Sequence, residues 1–364
     1  MSLSDFNPWP MTGAARWVLR ILTALVILFY LVAYPFGVSD FWEYCHLGRV
    51  GIQYDRMPDQ TMVVIGVVPG GPADLAGIKI GDRIIQVNDW MVTPETTADE
   101  IANRVVGAAG ESVSLKLRTA DNQEHSVSLT RVRLPVDVFN AWSTVAQMVV
   151  FAVCGLIIFW TRRRSGYALF VSLGLIIFGV NISGVWVYEA GPGMLLFYGL
   201  GFILMLFTLL TYPNGKFRPI WTLGIGILGV ILYGLTLFPP PLEPFEWPWQ
   251  YLLLAQVALF GSALGCQIFN YYRKATPDEK IRMRPAFWGA VSALSALFLF
   301  TIFYNLPGVY VWLYRHMYIQ ISLYMVNALG FMLLPIFLTI SMVGNGQAVK
   351  GETSVASPII NNKP

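Results

Sequence analysis

Val67-Val68-Pro69-Gly70-Gly71-Pro72-Ala73-Asp74-Leu75-Ala76-Gly77-Ile78-Lys79-Ile80-Gly81-Asp82-Arg83-Ile84-Ile85-Gln86-Val87-Asn88 is the stretch on which the reading of this chain turns. Gly70 and Gly71 supply the backbone freedom of a tight turn. Pro72 suits the first position of a short helix, and Gly77 suits the position just past its end, where φ is usually positive. Ile78 and Ile80 are expected to point into a core, and Gly81-Asp82 turns the chain into Arg83–Val87, a strand-like run rich in β-branched residues. Such a unit belongs to a small soluble domain, yet the sequence on either side of it suits a lipid bilayer.

Outward from this stretch the domain is expected to run over residues 47–134, a compact size for one core. Val113-Ser114-Leu115-Lys116-Leu117 and Val127-Ser128-Leu129 alternate as half-buried strands, with Asp121-Asn122 as the turn signal between them. Thr97 to Val106 places Ile101, Val105 and Val106 at helical spacing.

The pattern of strand, Pro-Ala turn, short helix ending in Ala-Gly, then Gly-Asp and a strand closing on Asn resembles the core of a bacterial PDZ domain. Asp89 departs from the glycine usual there. The resemblance implies that Val50-Gly51-Ile52 is the carboxylate-binding loop, whose amides grip a peptide C-terminus while the following strand adds the peptide as an extra β-strand. Ile101 and Val105 then lie on the helix that forms the other wall of the groove.

Hydrophobic residues make up 55% of the chain and charged residues 12%, about half the charged share of a soluble protein. Apolar stretches occur near 17–36, 138–160, 167–188, 194–212, 220–238, 251–271, 286–306 and 318–343, each close to the ~20 residues that cross a hydrocarbon core as a helix. The first lacks an Ala-x-Ala cleavage site and reads as an uncleaved anchor. The expected fold class is an α-helical polytopic membrane bundle of about eight transmembrane helices with an inserted small, mostly β, α/β PDZ-like domain outside the cytoplasm.

Arg16 and Arg20, Arg162 to Arg164, Lys216 and Arg218, and Arg273, Lys274, Lys280, Arg282 and Arg284 fall on one face if the crossings number about eight. Glu189, Glu243 and Glu246 lie opposite, with Arg315 as the exception. The expected layout is a cytoplasmic N-terminus (1–16), an anchor (17–36), the PDZ-like domain (47–134), a seven-helix membrane domain (138–343) and a disordered cytoplasmic tail (344–364). The expectation is a multi-pass plasma-membrane protein with both termini cytoplasmic. The net charge of +3 reflects the loop bias and gives no argument for nucleic acid.

Thr211-Tyr212-Pro213-Asn214-Gly215-Lys216-Phe217-Arg218-Pro219 resembles the Phe-Pro-Asp/Asn-Gly-Arg/Lys-Phe-x-Pro loop of a group of multispanning bacterial sensor kinases. The stretch from Tyr271 through Thr276-Pro277 to Arg284 resembles the Tyr-Arg-x-x-Ser/Thr-Pro-x-x-Arg-x-Gln loop of the same group, with Met283 in place of Gln. The group includes the competence-type quorum-sensing histidine kinases, some of which place a PDZ-like domain after the first span. Without any family, Asn214-Gly215 reads as a tight turn, and Pro219 and Pro285 read as helix starts. After Val343 a short polar stretch to Pro364 leaves no room for a kinase. The expectation is a stand-alone sensor whose output passes to a partner, or a fragment of a longer chain.

No His-Glu-x-x-His motif and no phosphate-cradling Gly-rich Lys-Ser/Thr loop occurs. The three histidines, His46, His125 and His316, make no catalytic pattern; Ser183 with His316 is the nearest approach to a nucleophile and base, and nothing in the sequence positions one beside the other. Cys45, Cys154 and Cys266 make no disulfide framework. Gly261 to Gly265 forms a Gly-x-x-x-Gly seam and Gly289 to Ala296 repeats small residues, permitting close contact within the bundle or in a homodimer. No catalytic residue, metal site or cofactor is expected. The expected function is that of a signal-sensing receptor for a peptide or amphiphilic ligand, partnered by peptide or protein C-termini outside the cytoplasm, the lipid bilayer and a separate cytoplasmic histidine kinase or other output protein. The alternative is a membrane-anchored scaffold that recruits envelope proteins, and a ligand-free spacer role for the domain also stays open.

Overall fold

The computed structural model describes residues 13–15, 17–28, 47–57, 59–119, 121–162, 165–181, 192–213, 215–235, 238, 249–306 and 308–353. The chain divides into two units. One joins Phe36–Ser143 to Phe300–Val326; the other joins Met1–Pro35, Thr144–Leu299 and Asn327–Pro364.

The first unit contains a six-stranded antiparallel sheet with strands β1 (Ile52–Arg56), β2 (Met62–Val67), β3 (Arg83–Val87), β4 (Trp90–Met91), β5 (Ser112–Arg118) and β6 (Glu124–Thr130). The order is β1-β2-β3-β5-β6, with β4 paired to β3, so β1 and β6 are the edges. Helix α1 (Pro72–Leu75) joins β2 to β3, and helix α2 (Ala98–Val105) joins β4 to β5. One core holds them together: Val50, Ile52, Met62, Val64, Ile84, Ile101, Leu115, Leu117 and Leu129 are all buried in it. Each large aliphatic side chain removed from water contributes roughly 1.5–3 kcal/mol.

Local chemistry explains the turns. Gly71 caps α1, Pro72 opens it, and the Asp74 carboxylate accepts the Gly70 N–H at 2.8 Å. Gly77 follows with φ of 80°, conformational ground that only glycine enters freely. Ile78 enters the core as expected, but Ile80 does not; it is 44% exposed. The reason is the turn around it. The Asp82 carboxylate accepts the Lys79 N–H at 2.8 Å, and the Asp82 N–H donates back to the Lys79 carbonyl at 3.2 Å, which leaves Ile80 on the outside of a closed loop. Thr97 and Glu100 form a capping box that starts α2, and Asn122 takes a positive φ in the β5–β6 turn.

At the β5–β6 hairpin, Glu124 lies 2.7 Å from Lys116 and 2.6 Å from Arg118. Hydrogen bonds from Lys116 and then Arg118 pull its carboxyl from the ordinary 4.5 down to about 2. A depressed carboxylate contributes stability that is present above the unfolded value and is lost as pH falls through the folded one. Between about pH 4.5 and pH 2 the melting temperature of Glu124→Gln should therefore fall less steeply than that of the parent chain. Parallel melting curves would remove this hairpin from the acid response.

The second unit is helical. Its elements are α3 (Pro135–Thr161, begun in the first unit), α4 (Gly166–Asn181), α5 (Pro192–Thr211), α6 (Thr222–Gly234), α7 (Trp249–Arg273) and α8 (Pro277–Asn305). Helix α9 (Val309–Arg315) belongs to the first unit, and α10 (Met317–Thr353) starts there. Residues 17–28 are also helical. Three of these helices are long and apolar enough to cross a membrane: Pro135–Thr161, Pro277–Phe303 and Met317–Val343. Gly166–Gly179, Gly199–Thr211 and Thr222–Gly234 are shorter apolar helices.

Small residues decide the contact between α8 and α10. A Cβ on Gly289 would stand 3.0 Å from the Leu333 carbonyl oxygen, and one on Gly330 would collide with Ala296 and stand 3.1 Å from the Ser292 carbonyl oxygen. Nothing lies within 4 Å of Cβ positions built on Gly261 and Gly265, so that seam meets no neighbour among the described residues. Three buried polar side chains of the unit bond to backbone: Ser172 donates to the Gly155 carbonyl at 2.7 Å, Tyr167 to that of Thr208 at 3.2 Å, and Gln267 to that of Leu209.

Two expectations change here. Pro285 lies inside α8 and does not begin it; the helix starts at Pro277, where Thr276 and Glu279 exchange capping hydrogen bonds, a stronger start signal than the later proline. Helix α10 continues to Thr353, into the segment read as tail, because propagation from an established helix costs far less than nucleation.

Candidate functional site

The turn that precedes β1 is clamped from both sides. Gly48 and Gly107 exchange backbone hydrogen bonds at 2.6 and 3.2 Å, which ties the turn to the end of α2; Arg49 and Val132 exchange another pair at 2.8 and 2.9 Å, which ties it to the strand after β6. Gly51 then adopts φ of 78°. The Val50 carbonyl accepts from Ala73 N–H at 3.0 Å and the Gly51 carbonyl from Val68 N–H at 2.9 Å. In a trans peptide the N–H points opposite to the carbonyl before it. The amides of Gly51 and Ile52 are therefore directed away from β2, at the edge of the sheet.

Ile52 is the first residue of that edge strand. It stands opposite Val67 in the β1–β2 ladder. Because the neighbouring Gly51 carbonyl bonds toward β2, alternation turns both the N–H and the C=O of Ile52 outward. These are the groups that an added strand pairs with. The other wall is α2, joined to β1 where the Tyr54 hydroxyl donates to the Ala98 carbonyl at 3.4 Å. Val50, Ile52, Ile101 and Val105 all enter the core cluster. The structure thus brings together the five positions read as the peptide site: Val50, Gly51 and Ile52 in the turn, Ile101 and Val105 on the facing helix. Their side chains hold the walls in place, and the groups directed outward at the edge are backbone.

Sequence reasoning missed Arg131. It is only 7% exposed, and its guanidinium donates through Nε to the Val105 carbonyl at 2.9 Å and through Nη2 to the Arg104 carbonyl at 2.8 Å. Nη1 meets Glu111 at 3.2 Å. Arg131 satisfies the orphan carbonyls at the end of α2. A Cβ on Gly107 would stand 2.9 Å from its Cζ, so glycine at 107 makes the approach possible. The only sequence signal was a charged residue beside a strand, which ordinarily means a surface position. Arg49 forms an ion pair with Asp137 at 3.0 Å, which directs it toward the start of α3.

The two loop stretches in the helical unit also meet. Arg218 pairs with Glu279 at 3.4 Å, Tyr212 donates to the Arg282 carbonyl at 3.2 Å and also bonds Ser341. Lys216, Lys274 and Asn270 line the small hollow between them. No group of three or more His, Cys, Asp or Glu with metal-binding proximity occurs among the described residues. His316 closes α9, its Nδ1 2.8 Å from the Trp312 carbonyl oxygen and its ring stacked on Trp312. Cys45, His46 and Ser183 lie outside the described residues.

Comparison with known proteins matches the PDZ domain profile to residues 63–119. Tax1-binding protein 3 from Homo sapiens is 42% identical over 57 residues, 16% of this chain and 45% of that protein. The chloroplastic carboxyl-terminal-processing peptidase 2 of Arabidopsis thaliana is 38% identical over 80 residues, 22% of this chain and 15% of the peptidase. The chain therefore spans less than half the length of the curated relatives it matches. Among solved structures, the PDZ domain of a carboxy-terminal protease from Vibrio cholerae in complex with a peptide is 27% identical, covering 24% of this chain and 96% of that one, with a TM-score of 0.23. The photosystem II D1 C-terminal processing protease is 26% identical over 24% of each chain, also with a TM-score of 0.23. A PDZ domain, a peptide- and protein-binding module, is present in this chain.

Proposed function

We propose that this PDZ-containing chain is a membrane-embedded receptor that captures the C-terminus of a peptide or protein outside the cytoplasm and passes its occupancy to a separate output protein. The observation that carries the reading is the outer edge of β1, which pairs with no further strand among the described residues. There the left-handed turn at Gly51 aims two amides outward beside Ile52, whose own N–H and C=O also face out, next to α2. Amides at that end suit a carboxylate, and the outward pair suits the backbone of an added strand. The membrane part of the proposal is supported by the low charge of the chain and by three long apolar helices among the described residues. The outward placement of the domain rests on the Lys and Arg bias of the loops. The two loop resemblances support an output through a partner such as a histidine kinase.

The test uses the full chain in detergent micelles against a library of decapeptides with free C-terminal carboxylates. The selected peptide and its C-terminally amidated twin are then compared by fluorescence anisotropy. Losing the charge-assisted hydrogen bonds to the carboxylate should weaken binding by about tenfold or more. Equal affinity for the two peptides would sink carboxylate capture.

A further inference from the structure

We infer that α9 is an internal competitor for this groove, its Tyr314 hydroxyl holding the Ile52 carbonyl that an added peptide strand requires. The hydroxyl donates to that carbonyl at 3.2 Å, across 262 residues of sequence. The inference rests on the proposed use of the β1 edge and goes beyond it, to how that edge is regulated.

The register of the β1–β2 hairpin makes the contact possible. Ile52 opposes Val67 and Gln53 opposes Gly66, but Tyr54 opposes Val64, so the ladder skips Ile65 in a bulge. An extra residue shifts the alternation of faces. Val67 therefore packs against the core, while Gly66 and Val68 turn to the opposite face. Gly66 has no side chain; a Cβ there would stand 3.1 Å from Gln53 Oε1 and 3.4 Å from Tyr314 Cδ1, so Gln53 and the ring share the space above it. The phenol ring thus lies on bare backbone, and from that seat its hydroxyl reaches past the hairpin to the outward carbonyl of Ile52.

The seat extends beyond one ring. Val68, Leu134 and Val136 form a buried cluster with Tyr314, Met317, Ile321 and Tyr324, so α9 and the first turns of α10 cover the hairpin face next to the site. Gly66 and Val68 are buried because of this cover. A peptide N–H must approach the Ile52 carbonyl to about 2.9 Å, and the hydroxyl reaches that oxygen from the side that β2 leaves open. Strand addition and the Tyr314 bond are therefore alternatives, and the affinity of a peptide is reduced by the fraction of chains in which Tyr314 is docked. By reciprocity a bound peptide releases α9. Occupancy of the domain is thereby converted into a change in the segment that leads through His316 into α10.

The test again uses the full chain in detergent micelles, with fluorescein-labelled decapeptides selected separately on the parent chain and on Tyr314→Phe. That variant removes one hydroxyl and keeps the ring. Tyr314→Ala removes the ring as well and reaches the same end by another route. Each should bind peptide ~3- to 10-fold more tightly than the parent, the value of one hydrogen bond, and saturating peptide should speed amide exchange over residues 309–315 of the parent. Gly51→Asp serves as the blind control. Equal affinities for the parent and both variants, with binding lost in Gly51→Asp, would overturn the competition and leave the groove reading standing. Peptide retained by none of the chains would overturn both.

Discussion

Arg131→Met is expected to lower the stability of the PDZ domain by about 3–5 kcal/mol, the largest single-residue effect outside its apolar core. Methionine preserves much of the packed volume, so the loss is electrostatic. Two carbonyls at the end of α2, the part-buried one of Arg104 and the buried one of Val105, would lose a charged donor. Hydrogen bonds from a charged group contribute about 1.5–3 kcal/mol each. Glu111 adds little, because it is largely exposed. The loosened end of α2 carries Val105 and sits beside Gly107, whose pairing with Gly48 clamps the turn at Gly51. Peptide affinity should therefore fall together with stability. Amide exchange across residues 47–134 measures the first and anisotropy the second; a stability change below about 1 kcal/mol would show that the guanidinium only decorates the helix end.

Gly330→Leu should destabilise the helical unit by about 3 kcal/mol or more. At this position α10 meets α8 with no room for a side chain, since a Cβ alone would collide with Ala296 and crowd the Ser292 carbonyl. Gly261→Leu is the matched control. It has the same chemistry on a helix, but its Cβ would meet nothing within 4 Å, so leucine should be neutral or mildly stabilising through helix propensity. Thermal unfolding of both variants in detergent reads the difference. If the two melt alike, the α8–α10 seam does not hold the unit together.

The legibility of the domain follows the range of the interactions that make it. Gly77, Pro72, Thr97 with Glu100, and Asn122 act on neighbours within four residues, so a turn or cap is visible in the chain itself. The core strands show through their alternation, as at Leu115 and Leu117. Errors arose where a local pattern met a stronger competitor. Ile80 follows the spacing of Ile78 but is turned out by the Asp82 loop, and Pro285 offers a helix start that the Thr276 cap has already supplied. The small residues near Gly289 hinted at a close approach, yet Gly261 and Gly265 show the same pattern without a neighbour among the described residues.

The module, its turns and the position of Gly51 before the first strand are legible in the chain, because all of these depend on backbone preferences that residues express locally. Tertiary structure alone decided that Arg131 is buried against the end of α2, that β1 is an edge, and that Tyr314 reaches Ile52. Those contacts join residues separated by tens to hundreds of positions. They exist only because the core and the β2 bulge bring particular backbone groups to one edge, and no periodicity in the chain encodes that juxtaposition.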